Sequence, residues 1–216
     1  MNIILFGPPG AGKGTQADKI SKSFNLHKIS TGDLLRREIS NKTQLGKKIK
    51  SIIDKGQFVS DDTINDLIDK ILADKKFNNR LIFDGYPRNL EQAKSLDLLV
   101  KKYNKKISCV LSLNVDNEII VKRILGRQTC RKCGLIFNKY FRAANGKNHI
   151  CGSKFLVTRS DDTEETILKR YNTYLDKTVP LIDHYKKLNL LYEIEGTTGI
   201  DEIFMKISQI IASLEA

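Results

Sequence analysis

Nine residues near the start of the chain, Gly7-Pro8-Pro9-Gly10-Ala11-Gly12-Lys13-Gly14-Thr15, carry its most legible chemistry. Glycines at 10, 12 and 14 leave the backbone bare, so a polyphosphate can approach peptide N–H groups that side chains would fence off. A helix beginning here turns unpaired N–H groups and the positive end of its dipole toward the anion. Lys13 adds a mobile point charge that follows phosphates, and Thr15 a hydroxyl within reach of magnesium. The spacing departs from the usual phosphate loop, in which Ser or Thr follows the Lys directly, because Gly14 intervenes. A plain glycine-rich turn is the simpler alternative. Four glycines, two prolines and a lysine in nine residues, between an apolar run and a helical pattern, argue against it.

Other residues suit the same chemistry. Asp84 ends the apolar run Arg80-Leu81-Ile82-Phe83, the Walker-B arrangement, in which the carboxylate orients magnesium, often through water. A turn-forming Asp before Gly85 is the plainer reading. Pro87 fixes a non-helical path that aims Arg88 toward a cleft. Asp116 starts a helix carrying Arg123 and Arg127, whose i, i+4 spacing stacks two guanidinia that repel unless an anion lies between them. Ser30, Thr31 and Asp33 are candidate helix caps, with Arg36 about one turn inside. His27 and His184 are assigned no chemistry.

The four cysteines divide. Cys109 lies in the apolar run 107–113 and reads as a small buried hydrophobe. Cys130 and Cys133 form a Cys-x-x-Cys-Gly half-site; Cys151 has no cysteine at the matching spacing, where Asn148 stands, and His149 is the nearest other ligand type. Cys130, Cys133, His149 and Cys151 are therefore the candidate zinc set, against a metal-free hairpin with reduced thiols.

The positioning elements follow from pattern. Asn2–Phe6 is a buried strand, and Ala17, Ile20 and Phe24 mark the helix after the loop. A helix from Gly46 is stopped by Gly56; after Gln57-Phe58-Val59, Ser60-Asp61-Asp62 opens another with the stripe Ile64, Leu67, Ile68, Ile71 and Leu72. Strands are expected at 80–83, 107–113 and 190–194. Residues 128–158 read as a small β insertion with a hairpin at Asn145-Gly146. Asp162 with Glu165 suggests a capping box opening a long helix through Arg170, broken near Pro180.

At 216 residues this is one core domain with insertions. No apolar run approaches the ~18 residues of a membrane span. The start lacks a basic n-region and reads as structure rather than a signal peptide, so the expected compartment is the cytoplasm. The net charge of +12 comes mostly from Lys pairs of solvated type, such as Lys47-Lys48 and Lys186-Lys187. With no Trp and no Lys/Arg cluster interleaved with aromatics, neither a nucleic-acid nor a membrane partner is expected.

Together, Gly7 to Thr15, Thr31-Gly32-Asp33-Leu34-Leu35-Arg36, Asp84 to Arg88 with Gln92, and Arg159-Ser160-Asp161-Asp162 with Arg170 resemble the adenylate kinases over essentially the whole chain. The resemblance implies an α/β fold of the P-loop NTPase type. It would have a five-stranded parallel sheet flanked by helices, a helical segment at about 30–59 closing over AMP, and a small β lid at about 126–164 closing over ATP. It implies that Gly10, Ala11, Gly12, Lys13, Gly14, Thr15, Arg123, Arg127, Ile136, Phe137 and the backbone of Thr198 serve ATP. Thr31, Arg36, Gln57, Phe58, Val59, Gly85, Tyr86, Pro87, Arg88, Gln92, Arg159 and Arg170 would serve AMP. Lys13, Arg88, Arg127, Arg159 and Arg170 would be catalytic, with Mg²⁺ held by Thr15 and Asp84. The implied reaction is MgATP plus AMP to two ADP, by a monomer. The alternatives are another nucleoside monophosphate kinase acting on UMP or CMP, or a zinc-ribbon nucleic-acid-binding ATPase.

Overall fold

The computed structural model describes residues 1–54, 59–77 and 79–215. Its strands are β1 (Asn2–Phe6), β2 (His27–Ser30), β3 (Leu81–Asp84), β4 (Cys109–Asn114), β5 (Arg127–Cys130), β6 (Ile136–Asn138), β7 (Leu156–Val157) and β8 (Leu191–Glu195). Five of them form a parallel sheet in the order β2-β3-β1-β4-β8, and β6-β5-β7 form a separate antiparallel sheet. Parallel strands buried on both faces read as unbroken apolar runs, and every residue of β1 is buried. Alternate side chains then feed two cores. Ile4 and Phe6 join Phe83, Tyr86, Leu96 and Tyr185 on one face, while Ile3 and Leu5 join Ile20, Leu111 and Ile207 on the other.

The helices cover those faces: α1 (Lys13–Phe24), α2 (Thr31–Ser40), α3 (Gln44–Asp54), α4 (Asp61–Ala73), α5 (Leu90–Lys102), α6 (Asn117–Leu125), α7 (Glu164–Thr173), α8 (Val179–Lys187) and α9 (Ile200–Glu215). Helix α4 buries Ile64, Ile68 and Leu72, as its stripe predicts, and Leu67 and Ile71 pack beside them. The α2–α3 pair forms an excursion between β2 and β3, and β5–β7 form another between α6 and α7.

Four expectations are corrected. Helix α6 ends at Leu125 and Gly126 caps it, so Arg127 opens β5 instead of stacking on a helix with Arg123. The capping box at α7 is Thr163 with Thr166, not Asp162 with Glu165, because the aspartates are committed to ion pairs. Asn145-Gly146 lies in a turn closed by the side chains of Asn145 and Asn148, without flanking hairpin strands. The helix after α7 is not broken at Pro180: a wider π turn, Tyr174–Thr178, precedes it, and Pro180 sits in the first turn of α8. Gly56, with Gln57 and Phe58, lies outside the described residues.

The two edges of the parallel sheet differ. At the amino edge Asn2, almost wholly buried, donates from Nδ2 to the Lys106 carbonyl at 2.8 Å. Its Oδ1 accepts from Leu81 N at 3.2 Å, so one side chain ties three segments together. At the carboxyl edge the strands run into the phosphate loop, α2 and the Asp84-Gly85 turn.

Candidate active site

The carboxyl edge opens into a cavity of about 490 Å³ where the sheet order runs outward from β1 in both directions, the crevice in which α/β sheets bind ligands. The loop from Gly7 to Gly14 forms its floor. Gly10 holds φ +83°, and a Cβ there would meet Ile124 Cγ1 at 2.8 Å, so glycine is required for packing as well as for access. Lys13, at the first turn of α1, folds over the loop and donates to the carbonyls of Gly7 (2.7 Å) and Pro8 (2.9 Å). Burial drives the pKa of its ammonium down to about 8; Asp84 opposes that shift, while Arg88, Arg170 and Arg127 add to it.

Arg88 is held from several directions. Its Nε donates to the Gly85 carbonyl at 2.7 Å, its backbone N–H to Gln92 Oε1 at 2.8 Å, and its carbonyl accepts from Thr178 Oγ1 at 2.8 Å. Gly85 has φ +79°, and a Cβ there would press on Arg88 Nη2 at 3.0 Å. The Tyr86–Pro87 bond is cis. Burial, then Arg170, lowers the Arg88 guanidinium to about 10 against the pull of Asp84. Arg159 is lowered to about 10 by burial and by neighbouring Arg127 and Arg36. Such crowding of cations is relieved by an anion with dispersed charge.

Several arginines are oriented by aspartates. Arg36 Nη2 donates to Asp33 Oδ1 at 2.6 Å. Arg127 makes a bidentate pair with Asp162, Nε to Oδ2 at 2.8 Å with Nη2 on Oδ1, and the Asp162 side chain is completely buried. Arg170 Nη1 donates to Asp161 Oδ2 at 2.9 Å. Arg123 donates to the Gly196 carbonyl at 2.8 Å and lies over the Phe141 ring.

All the predicted cations, Lys13, Arg36, Arg88, Arg123, Arg127, Arg159 and Arg170, line this one cavity. So do Gly10 to Thr15, Asp84, Ile136, Phe137 and Thr198. Asp33 and Asp84 are the lining carboxylates among the described residues. Of the other AMP-side candidates among the described residues, Thr31, Val59, Tyr86 and Gln92 are buried beside the cavity wall. Thr31 donates to the Gly85 carbonyl at 2.8 Å, Tyr86 is fully buried with its hydroxyl on Asn65, and Val59 is in the core. Gln92 bridges the Arg88 N–H to Asp61. Lys28, Arg142, Phe141, Tyr174 and Thr178 also line the cavity and went unremarked in the sequence. Only their polarity or aromaticity marked them, and that does not distinguish them from surface residues.

Among the described residues, two groupings offer metal donors. Thr15 and Asp84 offer hard oxygen donors on the cavity wall, and a Cβ at Gly14 would lie 3.6 Å from Asp84 Oδ2, so the bare backbone hugs the carboxylate. That donor set fits magnesium, which takes one or two protein oxygens and completes its shell with water and phosphate. In the β5–β7 region Cys130, Cys133, His149 and Cys151 bring their ligand atoms within 4.8 Å of one another. His149 Nε2 is buried without a hydrogen-bond partner. Burial alone would raise the Cys130 thiol, but hydrogen bonds from the Cys133 backbone and the His149 side chain lower it to about 6. Three thiols and an imidazole at this separation fit tetrahedral zinc.

A glycine-rich loop between a buried strand and a helix, a carboxylate ending the adjacent strand and a shell of guanidinia define a phosphoryl-transfer enzyme of the P-loop class. Comparison with known proteins narrows that class. The family model described as "Adenylate kinase" matches residues 5–190. Curated adenylate kinases of Pelagibacter ubique (47% identical over 98% of this chain and 99% of the relative), Archaeoglobus fulgidus (41%, all of both) and Clostridium tetani (42%, 99% and 100%) are similar throughout. The chain belongs to the adenylate kinase family and is a nucleoside monophosphate kinase. Among the described residues no helix is long and apolar enough to cross a membrane.

Proposed function

We propose that this chain transfers the terminal phosphoryl group of MgATP reversibly to AMP, giving two ADP, inside the cavity at the carboxyl edge of the sheet. The observation that carries this is the convergence of the seven predicted cations, from α1, α2, the turn after β3, α6, β5, the segment between β7 and α7, and α7, on one cavity. Phosphoryl transfer needs its partners held in line and the dispersed negative charge of the transition state neutralised. The acceptor phosphate, with a second pKa of about 6, is already largely ionised at neutrality, so no general base is required. Lys13 and the N–H groups of Gly10 to Thr15 hold the ATP phosphates, Arg127 the outer phosphates, and Arg123 the adenine side with Ile136, Phe137 and Thr198. Arg36 and Arg88 hold AMP, Arg88 being set in place by Gly85 and Gln92. Arg159 and Arg170 close on both nucleotides. Thr15 and Asp84 would hold magnesium, which would supply charge neutralisation for the phosphates.

The excursions at 30–59 and 126–164 serve as the two closing pieces, excluding water that would otherwise accept the phosphoryl group. Cys130, Cys133, His149 and Cys151 would hold a zinc ion that would staple the second of them. The chain works as a cytoplasmic monomer on free nucleotides. Support for the compartment comes from the four cysteines, none of which is in a disulfide, as suits a reducing environment.

The test is ADP production from ATP, AMP and magnesium, with UMP, CMP and GMP as rival acceptors. Turnover with AMP well above the others is expected, and equal or better turnover with UMP or CMP would replace AMP in this assignment. Lys13→Ala and Arg88→Ala are expected to lose activity by orders of magnitude while remaining folded.

A further inference from the structure

Lys28 lies in the middle of β2, opposite Ile82, with its side chain only 17% exposed. Its Nζ donates to Asp18 Oδ1 at 2.8 Å. It also lies 3.9 Å from Asp84 Oδ2, 4.0 Å from Asp33 Oδ2 and 3.4 Å from the Gly14 carbonyl. The three carboxylates come from α1, the end of β3 and the first turn of α2. They are not equivalent. Asp18 is bonded to the ammonium, whereas Asp84 and Asp33 line the cavity at distances too long for a hydrogen bond. The Asp84 carboxylate and Asp33 Oδ2 thus remain available to the cavity while the positive charge stays beside them, Asp33 Oδ1 being taken by Arg36. An ion pair built only for stability would need Asp18 alone.

We propose that Lys28 is the tuning cation of the magnesium site. Fixed by Asp18, its ammonium offsets the charge of Asp84 and, at 4.0 Å, of Asp33, so those carboxylates hold a divalent ion only weakly in the absence of nucleotide phosphates. The physical basis is repulsion between a unit charge and a divalent ion at short range beside Asp84, where both side chains are mostly buried and solvent screens least. Phosphate oxygens of a bound nucleotide add enough negative charge to overcome it. Metal then enters and leaves with the nucleotide, and the product complex is not locked by an ion clinging to the protein. Lys28 is a positioning and tuning residue in this scheme, acting through the carboxylates. The inference rests on the placement of magnesium at Thr15 and Asp84 proposed above.

The test measures Mn²⁺ binding by electron paramagnetic resonance to the full chain, alone and with the β,γ-imido analogue of ATP. Lys28→Met is expected to tighten Mn²⁺ binding to the nucleotide-free protein about tenfold. Lys28→Arg should return it toward the original value. Asp18→Asn, which frees the ammonium to lean on Asp84, should weaken Mn²⁺ binding several-fold, and this opposite sign supports the proposal even if Lys28→Met does not fold. Asp84→Asn serves as the reference and should weaken Mn²⁺ binding in both states. Unchanged binding in Asp84→Asn overturns the metal placement and the inference with it. Weakened binding in Asp84→Asn with no change in the Lys28 and Asp18 variants overturns the inference alone. A Lys28→Met protein that loses metal-free nucleotide affinity but keeps its Mn²⁺ affinity also overturns it, because Lys28 would then be a phosphate ligand.

Discussion

The hydroxyl of Thr178 donates to the carbonyl oxygen of Arg88 at 2.8 Å, tying the π turn that ends α7 to the turn that follows β3. Thr178 is buried, and the bond fixes the backbone from which the Arg88 guanidinium projects. Thr178→Val keeps the shape and removes this donor from the Arg88 carbonyl, at a cost of about 0.5–1.5 kcal/mol. Turnover is expected to fall roughly tenfold, since small misplacements of a positioning group are costly. Steady-state kinetics should show this mainly in kcat, with Arg88→Ala as the limiting case; equal kcat values for Thr178→Val and the parent would remove the coupling.

Lys13 sets a pH dependence. Burial and nearby arginines hold its ammonium at about 8, against the influence of Asp84. A bound polyphosphate favours the charged form and raises that pKa, so binding takes up a proton above pH 8 and none below. Metal-free affinity for ATP should therefore be level below pH 8 and fall above it, by at most about tenfold per pH unit. Calorimetry in two buffers of different ionisation enthalpy measures the proton uptake directly. Lys13→Met should abolish it.

The Arg127–Asp162 pair makes a prediction about stability. Arg127→Met strands a completely buried carboxylate, and breaking a buried pair in this way costs about 3–5 kcal/mol. The loss should be confined to the β5–β7 region and appear as faster amide exchange there. Adding Asp162→Leu removes the stranded charge and should restore most of the protection without restoring activity. Exchange that stays fast in the double variant would contradict this account.

Metal removal tests the cysteine and histidine cluster. Purified protein is expected to carry one zinc per chain, released by a chelator with loss of structure around β5–β7, because binding energy at such sites is folding energy. Cys133→Ser should lower the zinc content, and exchange protection should drop in this region while the parallel sheet stays intact. Protein that never holds zinc yet folds normally there would favour plain reduced thiols.

Much of this was readable beforehand, for identifiable reasons. The phosphate loop, β1 and α1 are encoded locally, by glycines whose freedom is used and by a continuous apolar run. The stripe on α4 and the strands ending at Asp84 and Asn114 are likewise single-segment patterns. Strand β2 was not legible, since only Ile29 of its four residues is fully buried and its pairing comes from β3. The end of α6 was misplaced because Arg127 continues the charge pattern of a helix that Gly126 has already stopped. The resemblance places Gln92 at the AMP site, and nothing near it in sequence reveals that its amide also reaches the Arg88 N–H and Asp61. Long-range partnerships of this kind have no local signature.

The clasp that Asn2 makes at the amino edge carries a practical consequence. Because its partners Lys106 and Leu81 lie at the opposite end of the strands from the phosphate loop, resilience and catalysis occupy separate ends of one scaffold. Substitutions there should register on a melting curve and leave nucleotide handling alone, which makes that rim the place to toughen the molecule.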